Sequence, residues 1–394
     1  MTLKAARRLM TPSVRSDVPP FMVMDVMAAA ARIEAAGGRV VHMEVGQPAV
    51  GAPAVAVAAA QAALGSGRPL GYTESLGVAS LRARIAQHYF ETYRLPVTAE
   101  RVIVTTGSSA GFILAFLSLF EPGDRVAIAS PGYPPYRHIL RALGCEPVLI
   151  ETDATTRFAI TGESLRAAHA TAPLAGVLVA SPANPTGTMM TPQALADLIE
   201  AAQDEGIRFI SDEIYHGLDY AMAAETALRF SDDVVVINSF SKYFCMTGWR
   251  IGWMIVPESM VRPIDRLQGN LAISVPTLSQ IAAEAAFEGR IELDAIKHGY
   301  EDNRKILIEG LPKVGLDRFL PVDGAFYLYA DVSGFCDDSV DFTRRLLEQA
   351  HVAATPGVDF DPAHGKQFVR FSYAGSSAEM REAVERIGDW LRKR

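Results

Sequence analysis

The chain has 394 residues, 49% hydrophobic and 21% charged, with a formal net charge of −8. At about 150 residues per domain, that length predicts two to three domains with sizeable cores. The acidic balance argues against nucleic acid or an anionic membrane surface as a main partner.

The three cysteines, Cys145, Cys245 and Cys336, are far apart and lack C-x-x-C spacing. Neither a disulfide framework nor a metal site is expected, and the set suits a reducing cytoplasm. No apolar run reaches eighteen residues, so no transmembrane helix is expected. Basic residues near the N-terminus (Lys4, Arg7, Arg8) have no apolar stretch behind them, so no secretory signal is read.

In chain order, the alanine-rich stretch 52–63 predicts a helix, and a second helix starts near Val78. Five apolar runs then predict strands: 101–106, 125–129, 176–180, 207–211 and 234–237. They are nearly continuous in apolar residues, which suits strands buried on both faces of a mainly parallel sheet. Helical stretches such as 192–203 supply the crossovers. After about residue 279 the pattern changes. One or two long helices are expected over 279–310, strands over 324–330 and 368–373, and a helix from Ser377 onward. The expected fold is α/β, with a large domain at 48–280. A smaller α+β domain combines 1–47 and 281–394.

Four of the apolar runs end in residues that can do chemistry, and open α/β sheets gather ligands at their carboxyl ends. The first gives way to Gly107-Ser108-Ser109 at a helix start, which is an anion cradle or an ordinary cap. The second leads to Pro131-Gly132-Tyr133-Pro134-Pro135-Tyr136, where Tyr133 can stack on a flat ring or pack on the surface. The third ends near Asn184-Pro185-Thr186-Gly187, an amide donor in a turn-forming sequence. The fourth ends at Asp212-Glu213-Ile214-Tyr215, a carboxylate that can face a ring nitrogen or cap a helix.

The fifth run leads into Ser239-Phe240-Ser241-Lys242, followed by Gly248-Trp249-Arg250-Ile251-Gly252. One amine, two hydroxyls and one guanidinium suit an aldehyde cofactor with a phosphate handle. Lysine forms a Schiff base with the aldehyde, and hydroxyls with an arginine fork hold the phosphate.

These motifs, in this order from Gly46 to Arg370, resemble those of the class I and II aminotransferases, pyridoxal 5'-phosphate (PLP) enzymes of fold type I. The resemblance implies a seven-stranded-type sheet in the large domain. It gives Lys242 the cofactor linkage as an internal aldimine. Ser108, Ser109, Ser239, Ser241 and Arg250 take the phosphate, and Tyr133 the ring face. Asp212 takes the ring nitrogen; Asn184 and Tyr215 take the phenolate oxygen. Arg370 takes the substrate carboxylate, and Gly46 belongs to a substrate-access loop. Tyr72 is similar to the tyrosine that reaches the neighbouring subunit's phosphate, which implies a homodimer with shared sites.

The implied activity moves an amino group from an L-amino acid to a 2-oxo acid, 2-oxoglutarate being the expected acceptor, by a ping-pong mechanism. Ser109 stands where some aspartate-specific relatives carry a lysine, which weakens an aspartate assignment. The rival reaction on the same residues is β-elimination by a C–S lyase. A PLP-fold sensor in a transcription regulator is a third reading. The chain starts almost directly in the enzyme pattern, so no DNA-binding module is expected before it.

Overall fold

The structure is a computed structural model and describes residues 11–393. The basic N-terminal residues Lys4, Arg7 and Arg8 lie outside them. The strands are β1 (Val41–His42), β2 (Val102–Thr105), β3 (Arg125–Ser130), β4 (Glu146–Glu151), β5 (Gly176–Ala180) and β6 (Arg208–Asp212). They continue as β7 (Val234–Ser239), β8 (Gly252–Ile255), β9 (Tyr327–Asp331), β10 (Val352–Ala353), β11 (Thr355–Pro356) and β12 (Phe368–Ser372).

A seven-stranded sheet runs in the order β2-β8-β7-β6-β5-β3-β4. Only β8 is antiparallel to its neighbours. The five predicted strands all occur, displaced by at most two residues at either end. Strands β4 and β8 have no counterpart among the predictions. The first is a half-exposed edge containing Pro147, and the second has four residues opening on a glycine.

The apolar runs explain the interior. Every residue of β2, β7 and β8 is buried. Ile237 is fully buried, and such a side chain contributes about 1.5–3 kcal/mol relative to exposure. The helix Gly107–Leu119 packs closely across β7 and β8, because Gly111 has no side chain. A Cβ there would meet Ile237 Cγ2 at 3.2 Å and Met254 Cγ at 3.4 Å. This approach fixes where the helix N-terminus points.

A three-stranded antiparallel sheet, β11-β12-β9, forms the second unit, and a two-stranded parallel pair, β1-β10, lies beside it. The predicted helical region 279–310 resolves into Thr277–Ala286 and Arg290–Gly310, joined by a 3-10 turn. Near the N-terminus, helix α1 (Met22–Ala35) lays Ala30, with Val26, Ala29 and Ile33, against Val40, Leu347 and Ala353. The last helix, Ser377–Leu391, opens on a capping box between Ser376 and Glu379. The segment after β1 is tied to β12 by a hydrogen bond from Ser372 N to Met43 O, 2.7 Å. That bond carries residues 43–47 toward the carboxyl ends of the large sheet.

Candidate active site

A cavity of about 300 Å³ opens where the carboxyl ends of the large sheet meet the small sheet and α1. At one end lies the start of the helix Gly107–Leu119. Gly107 turns the chain with φ +71°, and no side chain caps the helix. The first-turn N–H groups therefore remain available to an anion, which the helix dipole also favours. Arg250 closes this end. A Cβ on Gly107 would lie 2.6 Å from Arg250 Nη2, so the missing side chain is what lets the guanidinium in. Arg250 Nη1 donates to Thr247 O at 2.9 Å. Gly252, the first residue of β8, is equally confined: a Cβ would meet Asn238 O at 2.7 Å and Ser108 N at 3.1 Å.

Lys242 follows β7 and extends into the middle of the cavity, where Nζ donates to Gly46 O at 2.5 Å. Burial, then the charges of Arg370 and Arg250, lower its pKa to about 8 from the usual 10.5. Asp212, at the end of β6, is 3% exposed. Its Oδ2 accepts from Tyr136 OH and its Oδ1 from Ile214 N at 3.0 Å. Burial raises its pKa to about 6, against the opposing effect of Tyr136, Ile214 and Lys242. Glu213 faces away, taking Ser211 Oγ, Thr226 Oγ1 and Ala227 N on Oε1.

Arg370 is 2% exposed in β12. Its guanidinium lies between the rings of Tyr327 and Phe360, with Cζ 4.5 and 4.7 Å from their centroids. Nη1 donates to Asn184 Oδ1 at 2.9 Å, and Nη2 donates to Glu44 O and Thr355 Oγ1. Nε has no partner. A buried guanidinium fixed by its neighbours, with a donor unused and a cavity in front of it, is prepared for a carboxylate.

The structure gathers most of the predicted residues around this cavity. Gly46, Ser108, Ser109, Tyr133, Asn184, Asp212, Tyr215, Ser241, Lys242, Arg250 and Arg370 all line it. Ser239 does not. It sits behind Ser241, sharing a hydrogen bond with Ser241 Oγ at 2.8 Å, and its Oγ lies 3.1 Å from Ile251 O. Tyr72 does not either, and is 81% exposed.

Sequence reasoning missed several contributors. Tyr327 shares a 2.6 Å hydrogen bond with Tyr215 OH and lies so close to Gly46 that a Cβ there would be 2.0 Å from its hydroxyl. Tyr136 was legible as part of the Pro131–Tyr136 motif, but its bond to Asp212 was not. Phe21, Val23, Met24 and Met27 come from α1 and its cap, which carry no motif.

The comparisons with known proteins agree with this geometry. The family model for aminotransferases of class I and II matches residues 39–387. The chain is 50% identical over 383 residues to a valine–pyruvate aminotransferase of Mycobacterium tuberculosis, covering 96% of this chain and 98% of that one. A crystal structure of an aminotransferase from the same organism superposes with a TM-score of 0.95 at 50% identity, over 98% of this chain and 100% of that one. The Thermus thermophilus aspartate aminotransferase with maleate gives a TM-score of 0.91 at 31% identity, over 97% of this chain and 100% of that one. With this sheet order, and with Lys242, Asp212 and Arg370 around one cavity, the chain belongs to the class I and II aminotransferases, the PLP-dependent family of fold type I.

Proposed function

We propose that this aminotransferase uses a neutral aliphatic L-amino acid, valine first, as donor and a small 2-oxo acid, pyruvate first, as acceptor. The observation that supports this most is the inventory of cations. Among the described residues lining the cavity, the lysines and arginines are Lys242, Arg250 and Arg370. Cofactor, phosphate and α-carboxylate would engage all three, so a second carboxylate finds no further lysine or arginine among the described residues lining the cavity. The relative named for valine and pyruvate, both monocarboxylates, supports the same reading.

The residues fit PLP. The uncapped helix start with Ser108, Ser109, Ser241 and Arg250, and Ser239 behind them, would hold the phosphate. Lys242 would hold the aldehyde carbon, Asp212 would serve the ring nitrogen and Tyr133 the ring. Asn184 and Tyr215 would serve the phenolate oxygen. Bound there, the cofactor supplies the electron sink that makes the Cα proton of an amino acid acidic.

Arg370 fixes the substrate carboxylate through its fork, and with it the face on which Cα is presented. Lys242 Nζ, about half deprotonated at pH 8 and more so above it, would take the Cα proton and deliver it to the cofactor's aldehyde carbon. Asp212, ionised above about pH 6, would hold the ring nitrogen protonated. Donor and acceptor use the site in turn, which gives ping-pong kinetics.

Tyr72, exposed and outside its own cavity, is assigned to the site of a second copy, making the active unit a homodimer. The domain division 48–280 against 1–47 with 281–394 and a cytoplasmic location belong to the same proposal. No helix among the described residues is long and apolar enough to cross a membrane. The β-elimination reading gains nothing from the relatives described above, which are aminotransferases by name.

A donor panel of alanine, valine, leucine and aspartate, run against pyruvate and 2-oxoglutarate, tests the assignment. Valine with pyruvate should lead. A lead for aspartate with 2-oxoglutarate would replace it with a dicarboxylate specificity.

A further inference from the structure

Helix α1 plays two parts. Its later turns pack against Val40, Leu347 and Ala353, whereas its first turn borders the cavity, with Val23 buried and Met24 at the rim, 55% exposed. Phe21, Val23, Met24 and Met27 line the cavity, and Phe21 meets Tyr133 edge-on with centroids 6.1 Å apart. No side chain of the cap residue holds this end. What faces it is Asp359, between β11 and β12. Burial raises the pKa of its carboxyl, while hydrogen bonds from the Met22 and Val23 N–H groups oppose that rise, and the residue is only 3% exposed. Its Oδ2 has no hydrogen-bond partner among the described residues. Arg137 anchors the same residue by donating from Nη2 to Asp359 O. The next residue, Phe360, is one of the two rings against Arg370. Two adjacent residues therefore tie the first turn of α1 and the carboxylate-binding guanidinium to one point.

We propose that the first turn of α1 is the wall that selects the donor's side chain, with Met24 and Met27 as its contact residues and Asp359 as the positioning residue that holds it at a fixed distance from Arg370. The proposal rests on the assignment of Arg370 to the substrate carboxylate. With the α-carboxylate on Arg370 and Cα near Lys242, a donor side chain extends toward the apolar wall. Methionine suits the role, because its flexible thioether adapts to branched and straight chains alike. A carboxylate side chain meets no lysine or arginine among the described residues of that wall and is disfavoured by desolvation. The anion of Asp359 opposite the helix N-terminus favours an ordered first turn. Without it the wall loosens while Arg370 stays in place.

Unreactive carboxylates test the wall apart from catalysis. Propanoate, 3-methylbutanoate and succinate are alanine, valine and aspartate without the amino group. Their binding to the PLP-loaded protein is read by calorimetry. Wild type should prefer 3-methylbutanoate over propanoate by on the order of tenfold, at about 0.8 kcal/mol per buried methylene. Succinate should bind more weakly than 3-methylbutanoate. Met27→Ala and Asp359→Ala should each reduce the first ratio roughly threefold or more, with propanoate itself little changed. Hydrogen exchange at residues 22–26 should quicken in Asp359→Ala but not in Met27→Ala. Asp359→Asn, which keeps an acceptor, should fall between wild type and alanine.

No preference in wild type, or a ratio unmoved by both variants, overturns the wall. Unchanged exchange in Asp359→Ala overturns the positioning role. Because these probes do not react, a protein that bound them selectively yet transaminated no donor would sink the functional assignment and leave the wall standing. Active transamination with an unmoved ratio would do the reverse.

Discussion

The two ends of the cavity are built in different ways. The phosphate and ring end comes from short contiguous stretches at the carboxyl ends of strands: Gly107-Ser108-Ser109 after β2, Asp212 closing β6, and Ser241-Lys242 after β7. The substrate end is assembled from remote pieces: Phe21 to Met27 at the start of α1, Gly46 after β1, Asn184 after β5, Tyr327 in β9, Phe360 between β11 and β12, and Arg370 in β12. The first end is rigid because it belongs to a sheet buried on both faces. The second depends on how α1 and the small sheet sit against it. Chemistry common to a family belongs on the first, and discrimination between substrates on the second. Substitutions at the sheet end should therefore strike turnover, and those at the substrate end KM and selectivity.

The largest effect is expected at Lys242. Lys242→Ala should abolish transamination and leave only non-covalently held PLP. Borohydride reduction and peptide mapping of the wild type should label Lys242 and no other lysine. The amine has a pH signature as well. Its folded-state pKa of about 8 lies below the usual 10.5, so the neutral, nucleophilic form is gained as pH rises through about 8. Aldehyde capture by the apoprotein should rise and level off around that pH. A rise continuing toward 10.5 would mean that the amine is not desolvated as described.

Asp212→Asn comes next. Turnover should fall by on the order of a hundredfold or more, because an amide supplies no charge to hold the ring nitrogen protonated. Stability should not fall in step. The folded pKa of about 6 is above the ordinary 3.8, so the folded protein binds more protons than the unfolded chain between those values. Stability then declines as pH rises through that window, and the amide removes the slope. Thermal melts at pH 4 and pH 7 should show the variant less pH-dependent than wild type. Near-wild-type turnover would mean that some other carboxylate serves the ring.

Arg370→Lys moves to the other end. A point charge cannot replace a fork held between two rings and bonded to Asn184, Glu44 and Thr355. KM for donor and acceptor should both rise roughly ten- to a hundredfold, about 1.4–2.7 kcal/mol of lost binding. The midpoint of cofactor retention should stay put. If KM held and the cofactor were lost instead, the two ends would have exchanged roles.

This division also explains what could be read in the sequence. Lys242 and Asp212 were legible because a buried strand announces itself as an apolar run and the reactive residue follows at once. Arg370 was legible only through its resemblance to the family; in isolation, Val369-Arg370-Phe371 is a strand arginine like many others. Tyr327 and Phe360 look like ordinary core aromatics, because nothing local shows that a guanidinium lies between them. Asp359 reads as a loop acid until the fold brings Met22 and Val23 beside it. Strand β8 was missed because it is short and glycine-led, yet it places Arg250 against Gly107. What sequence conceals is partnership across hundreds of residues, and the substrate end consists of little else.

The smallest predicted effect lies where the two ends meet. Tyr327 belongs to the small sheet, but its hydroxyl is bonded to Tyr215 from the large one, and its ring faces Arg370. Tyr327→Phe removes the hydroxyl and keeps the ring. Arg370 should then hold its place and KM should stay within about twofold, since an exposed or lost neutral hydrogen bond contributes only about 0.5–1.5 kcal/mol. Tyr215 would lose the partner that orients its hydroxyl, so kcat should fall by a factor of roughly two to ten. The pH at which the bound cofactor's absorbance changes should move as well, because Tyr215 is assigned to its phenolate oxygen. Tyr327→Ala removes the ring too, and should add a rise in KM that the phenylalanine variant lacks. An effect on KM from Tyr327→Phe, with kcat and the absorbance titration untouched, would place this hydroxyl at the substrate end alone and shift the boundary between the two ends toward Lys242.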